Sequence, residues 1–198
     1  MTTPTRVTIK DVRFNYTGSL FTAQKPKDGG AGKEKFSVVA ILAKNHPQLA
    51  EIKAAITAAA ENKWGAKAPE TLKQLAAGDR LCLHDGDAKS DKPGYAGNLF
   101  INASNELRPG VFGPQREVLV AADGKPYSGS YGTIILEFWP QDNQFGKRVN
   151  ASLLGVQHVK DGERLSGGGV AAADDFEAIP EQAAQTAVAS GKGAASLF

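Results

Sequence analysis

The 198-residue sequence predicts a mainly β fold, a small antiparallel barrel that carries one substantial inserted helix. Three observations predict it. Short segments alternate apolar and polar residues at the two-residue period of a half-buried strand. Asp-Gly, Pro-Gly, Ser-Gly and Gly-Pro turn signals separate them, in a chain that holds 22 Gly and 10 Pro. One stretch alone keeps a convincing helical stripe. Alternating βα units are missing, which argues against a doubly wound dinucleotide-binding sheet, and no fixed period signals a solenoid or propeller.

In chain order, Arg6 to Phe14 reads as a strand with Val7 and Ile9 on one side and Val12 and Phe14 on the other, a switch that implies a bulge or strong coiling. Residues 16 to 35 read as a basic loop, supplied with charge by Lys25, Lys27, Lys33 and Lys35 and with flexibility by its glycines. Phe36 to Leu42 is apolar on both alternating faces, as a central strand is. The helix is expected to begin around His46, with Asn45 or His46 as cap and Pro47 in the first turn. Its stripe is Leu49, Ile52, Ile56 and Ala59, and it ends near Trp64 and Gly65. Pro69 to Ala76 is a second short helix with Leu72 and Leu75 inward. The remaining strands are Arg80 to His84, Leu99 to Ala103, Glu117 to Val120, Gly132 to Trp139 and Val149 to Val159, making roughly seven in all.

Composition narrows the function. Apolar residues make up 41% and charged residues 22%, so the chain has a core and is neither wholly disordered nor a coiled-coil rod. No window has the run of about 18 apolar residues that a membrane span needs, and MTTPTRVTIK lacks a secretory core, so a soluble, unexported protein is expected. One cysteine, Cys82, forms neither an internal disulfide nor a zinc cage, and a reducing cytoplasm is the natural compartment. The net charge is only +2, but it is unevenly spread. Residues 171 to 198 hold four acids and one base, leaving 22 bases against 17 acids before them. Residues 1–166 therefore read as one basic domain and 167–198, which open on three glycines, as a flexible, mildly acidic tail. Such a tail either competes with a polyanion for the basic surface or serves as a plain linker.

Enzymatic signals are weak. His84, Asp85, Asp87 and Asp91 form a dense set of ligand types, yet no calcium-loop pattern joins them and a turn between strands explains them as well. A metal-dependent nuclease built on the three Asp is the reading they would support. Cys82 lies in an apolar alternation with no partnering His motif, and His46, His84 and His158 occupy ordinary structural positions. Ser190 to Gly193 lacks the spacing of a phosphate loop. Neither a catalytic residue, a metal nor a cofactor is expected.

Binding of single-stranded nucleic acid is better served. It needs cations for phosphates and exposed rings on which bases stack, each stack being worth about 1 to 3 kcal/mol. Tyr16 and Phe21 flank the start of the lysine-rich loop that ends with Lys33 and Lys35. Tyr95 follows Lys92-Pro93-Gly94, Tyr127 and Tyr131 bracket Ser128-Gly129-Ser130, and Phe145 precedes Gly146, Lys147 and Arg148. Phe36, Phe100 and Phe138 sit in apolar alternations and are assigned to the core. Trp139 falls on the more polar face of its strand. For Tyr95, Tyr127, Tyr131 and Phe145, surface and core roles both remain open. Taken singly, the cations are solvated charges; gathered on one face, they contact phosphates.

These residues bring a family into view. Lys35 to Leu42 leading into LAEIKAAITAAAENKWG, HDGD at 84 to 87, LFINAS at 99 to 104, YSGSYG at 127 to 132, FWPQDNQFGKRVNASLLGVQ at 138 to 157 and GGGVAAADDFE at 167 to 177 follow one another in order. Together they resemble a family of phage single-stranded DNA-binding proteins, formerly a domain of unknown function, with an oligonucleotide/oligosaccharide-binding (OB) barrel. The resemblance implies an OB-fold protein that coats single-stranded DNA without sequence preference during phage replication or recombination, in the cytoplasm of the infected host. It needs no cofactor. The tail, through Asp174, Asp175, Phe176, Glu177 and Phe198, would dock replication partners or shield the DNA surface. A phage structural or scaffold protein that makes only protein contacts is the alternative.

Overall fold

A computed structural model describes residues 4–25 and 32–165. Among them are seven strands: β1 (Arg6–Asn15), β2 (Phe36–Ala43), β3 (Leu83–Asp85), β4 (Asn98–Asn105), β5 (Gly110–Phe112), β6 (Tyr131–Asn143) and β7 (Gly146–Lys160). Two α-helices, α1 (Leu49–Trp64) and α2 (Ala68–Ala77), lie between β2 and β3. The pairing order β4-β2-β1-β6-β7 is antiparallel throughout and closes on itself through a parallel β4–β7 contact. This ring of five strands, with β3 and β5 as short additions at its edges, is an OB-type barrel.

The expected bulge in β1 is present, and it does more than switch faces. Register shifts between Ile9 and Val12, and Asp11 takes a left-handed φ of 52°. The extra residue returns Val12 and Phe14 to the side of Val7 and Ile9, so all four enter the core instead of dividing between two faces. In β6 the alternation holds without interruption from Gly132 to Phe138. Ile134, Leu136 and Phe138 point inward, each buried side chain of this size contributing about 1.5 to 3 kcal/mol, while Thr133, Ile135, Glu137 and Trp139 face out. The central strand β2 departs from the expectation that both its faces are buried: it buries its inner face from Val38 to Leu42 and, of its outer face, only Ile41. Val38, Ala40 and Leu42 join the barrel core, and Ile41 packs outside it with Tyr95, Phe100 and Leu165.

The helix begins later than its proline suggests. Residues 44 to 48 form turns, and α1 starts at Leu49 with Gln48 as an N-cap that makes no side-chain cap bond. His46 instead bridges to β1, its Nε2 lying 2.9 Å from the Lys10 carbonyl while its Nδ1 accepts from the Gln48 amide at 3.2 Å. Ile52, Ala55, Ile56 and Ala59 pack into the core over β1, β6 and β7. The helix stops at Gly65, whose φ of 53° suits a residue without Cβ.

Two strand expectations fail. Glu117 to Val120 is not a strand; it contributes one isolated bridge, Val118 to Phe112, and the true strand is β5 just before it, parallel to β7. Arg80 to His84 enters the sheet only from Leu83, because Arg80 and Cys82 spend their carbonyls on single bonds to Val149 and Asn102. Cys82 is buried, and burial pushes its thiol up to about 12, which makes it inert at neutral pH.

Candidate nucleic-acid interface

Where β4 meets β7 the barrel is joined by only two residue pairs, Ala103 with Ala151 and Ser104 with Ser152. Side chains there are small, and Ser37 and Val39 on the outer face of β2 continue the pattern. No large group fills the outer surface, so a groove of about 980 Å³ opens over the seam. Counting barrel strands only, β2 and β4 are second and third, and their exposed face forms the groove floor. One wall is the β1–β2 connection, through Tyr16, Gly18, Ser19, Gln24, Lys25 and Lys35; the other is the β6–β7 hairpin, through Trp139, Gln141 and Asn150. This is the face, with the same two loops, on which OB barrels bind oligonucleotides.

Trp139 is 41% exposed and Tyr16 44%, both high for rings that line a concavity. Trp139 reaches the groove because it shares the outward face of β6 with Glu137 and Gln141, opposite Phe138. Tyr16 is turned there by a left-handed φ of 55°, while its backbone amide donates to Asn15 Oδ1 at 2.8 Å. Lys35 stands where the loop rejoins the sheet, tied to Gln24 by two backbone bonds of 2.9 Å. Between the rings lie amides and hydroxyls: Ser37, Asn102, Ser104, Asn105, Asn150 and Ser152. Asn150 Nδ2 donates to Gln141 Oε1 at 3.2 Å, so part of this polar floor is already ordered.

Of the residues expected to bind, Tyr16, Lys35 and Trp139 come together in the groove. Arg148 extends the same hairpin face, since it pairs across with Gln141 as Asn150 does with Trp139. Lys33 stands near the rim, in a 2.9 Å ion pair with the groove residue Glu106; the shared hydrogen bond raises the lysine's pKa and lowers the carboxylate's.

Other expected contacts fall elsewhere. Tyr95 is buried, 1% exposed, with its ring edge-on to Phe100 at 5.1 Å, and burial raises its pKa; it is a core residue. Phe21 packs against the barrel core. Tyr127 is half-buried away from the groove under Arg164 at 4.3 Å, its hydroxyl accepting from the Gly162 amide and donating to the Gly162 carbonyl. Tyr131 lies between Arg13 at 5.5 Å and Lys160 at 4.9 Å. Their faces are occupied by the protein's own cations. Lys147 is on the hairpin face opposite Arg148, 3.7 Å from Asp142 and 5.8 Å from the Trp64 ring. Phe145 stands at the hairpin tip, outside the groove lining. Asp174, Asp175, Phe176, Glu177 and Phe198 lie outside the described residues.

Sequence reasoning passed over Lys25 and the polar floor. The signal was there, in Asn102 and Ser104 alternating with buried Ile101 and Ala103, and in Asn150 and Ser152 alternating with Val149, Ala151 and Leu153. The acidic cluster has a different explanation. Lys44 sits between Asp85 and Asp87 at 2.9 and 2.5 Å; the Asp87 amide donates to the same Asp85 oxygen at 3.0 Å, and the Gly97 amide donates to the other oxygen of Asp87 at 2.7 Å. The Asp87 amide on Asp85, and Lys44 on Asp87, hold both carboxyls below their usual range. These groups cap a turn, and among the described residues no set of three or more ligand side chains is placed to hold a metal.

A family model described as the Enterobacter phage Enc34 ssDNA-binding protein matches residues 5–188. The chain belongs to this family. Protein p50 of Acyrthosiphon pisum secondary endosymbiont phage 1 is 42% identical over 151 residues, spanning 75% of this chain and 81% of that one. The single-stranded DNA-binding protein from bacteriophage Enc34, solved in complex with ssDNA, is similar with a TM-score of 0.68 and 27% identity, over 81% of this chain and 89% of that chain. The single-stranded DNA-binding protein gp2.5 of bacteriophage T7 shares the fold, with a TM-score of 0.50 at 11% identity over 97% of this chain and 98% of its own. No helix among the described residues of this family member is long and apolar enough to cross a membrane.

Proposed function

We propose that this protein binds single-stranded DNA in the groove over the β4–β7 seam and coats it, without sequence preference, during phage replication or recombination. The observation that carries the reading is the convergence of two exposed rings, Trp139 and Tyr16, with Lys25 and Lys35 on the oligonucleotide-binding face of an OB barrel. The family and its solved complex with ssDNA support it. Bases stack on the rings, phosphates meet Lys25, Lys35 and Arg148, and the amide floor takes base edges in any order. The role is binding without chemistry, in the cytoplasm of the infected host; Lys44 holding Asp85 and Asp87, and the buried Cys82, support it.

Fluorescence anisotropy with labelled oligo-dT tests this. Three neutralised phosphates give a slope of log affinity against log salt of about −2, at about 0.7 per phosphate on a single strand. Affinity that ignores salt, or no binding at low salt, would overturn the proposal.

We further propose that residues 167–198 form a mildly acidic tail that competes for this groove through Asp174, Asp175 and Glu177, with Phe176 and Phe198 as its apolar contacts. Leu165, the last described residue, supports it: it is anchored against Ile41, two residues along β2 from groove-lining Val39. Deleting residues 171–198 is expected to raise oligo-dT affinity severalfold at low salt and to leave it unchanged at high salt, where the Debye length is about 3 Å at 1 M. Equal affinities at low salt would make the tail a spacer.

A further inference from the structure

The β6–β7 hairpin ends in an aromatic knob. Phe145 exposes 74% of its surface at a turn that is nonetheless ordered. Asn143 Oδ1 accepts from the Phe145 amide at 3.0 Å and from Gln141 Nε2 at 3.2 Å, and Gly146 takes the left-handed φ of 95° that closes such a loop. The hairpin is also fastened to the body. Trp64 Nε1 donates to Asp142 at 2.9 Å, and the Val149 amide donates to the Arg80 carbonyl at 3.2 Å. The ring is therefore presented on a braced support.

Cations lie on both faces of that support. Arg148, opposite Gln141, is on the face that continues through Trp139 and Asn150 into the groove. Lys147, opposite Asp142, is on the other, in a loose pair of 3.7 Å and with its side chain about half exposed. Arg80 lies beside the tip, where a Cβ at Gly146 would fall 2.6 Å from its Nη1. A lone strand tracking out of the groove meets cations on one face only. Two strands that part at the tip meet cations on both, with a ring between them.

We propose that the hairpin tip recognises the junction between single-stranded and duplex DNA. Phe145 stacks on the last base pair, the strand held in the groove passes Arg148, and the complementary strand runs past Lys147 and Arg80. Four strand steps take Trp139 to Asn143, about 13 Å at roughly 3.3 Å per residue, and Phe145 lies on the turn beyond, so the junction stands past the groove and does not compete with it. Apolar side chains that stack at or between base steps are a known means of gripping duplex DNA. The inference rests on the groove binding single strands.

The test compares an oligo-dT long enough to fill the groove with the same oligo-dT extended from a hairpin duplex whose terminal pair contains 2-aminopurine. The wild-type chain is expected to bind the tailed duplex at least about fivefold more tightly, the effect of one added stack, and to change the 2-aminopurine emission. Phe145→Ala should lose both the preference and the emission change while binding oligo-dT like wild type. Lys147→Ala should weaken the tailed duplex alone. A preference that persists in Phe145→Ala, a wild type with no preference, or equal losses on both DNAs would overturn the junction assignment. Absence of wild-type binding to oligo-dT is a different failure, since it removes the groove reading itself.

Discussion

Trp139→Ala is expected to weaken oligo-dT binding by about 5- to 150-fold, the equivalent of one lost base stack of roughly 1 to 3 kcal/mol, without changing the salt slope. The ring carries no charge, so phosphate neutralisation by Lys25, Lys35 and Arg148 continues and only the intercept falls. Fold stability should change little, because Trp139 is on the outward face of β6 and 41% exposed. Its neighbour Phe138 points into the core and provides the control: Phe138→Ala should cost about 3 to 5 kcal/mol of stability. Fluorescence gives an independent readout. The chain has two tryptophans, and Trp64 is engaged with Asp142 beside the hairpin tip, on the face away from Trp139. Quenching by oligo-dT should therefore vanish in Trp139→Ala and persist in Trp64→Phe. A folded Trp139→Ala protein with wild-type affinity would remove this ring from the interface.

What the sequence made legible followed from periodicity. β6 was visible because its inward residues alternate without a break, β2 because it is apolar at both alternating positions, and the bulge in β1 showed as a change of phase between Ile9 and Val12. What escaped was decided by partners distant in the chain. β5 has three residues and pairs in parallel with a strand 45 positions later, Gly110 with Gly155, so it carries no hairpin signal. Glu117 to Val120 has the better alternation and is not a strand, because Val111 and Gly113 already bond to it from one side and nothing continues the ladder. The site was half legible for the same reason. Trp139 could be assigned to a face by counting along β6. Lys147 and Arg148 could not be told apart, since the hairpin register fixes which of them shares a face with Trp139. Tyr127 and Tyr131 stand among glycines and serines in sequence, yet Arg164, Arg13 and Lys160 cover them in the fold.

Tyr95→Ala should destabilise the domain by about 3 to 5 kcal/mol, as loss of a large buried ring does, while Tyr95→Phe should cost about 1 kcal/mol and leave oligo-dT affinity unchanged. The ring fills a site outside the barrel proper, enclosed by Ile41, Phe100 and Leu165. Its hydroxyl contributes little, because the bond it accepts from Asn15 Nδ2 spans 3.5 Å, at the limit of a hydrogen bond. The loop that carries it is closely packed: a Cβ at Gly86 would lie 2.2 Å from the Tyr95 carbonyl oxygen, so this loop cannot shift inward to fill a void. Emptying the site also takes support from Ile41 and Phe100, the cross-strand pair of β2 and β4 next on the same face to the groove-floor pair Val39 and Asn102. Some loss of DNA affinity in Tyr95→Ala is thus expected, and Tyr95→Phe separates that indirect effect from stacking on a base. Chemical denaturation of both variants, with anisotropy on each folded protein, decides the matter. An alanine variant as stable as wild type, with weakened DNA binding, would mean that the ring leaves its site to meet the strand.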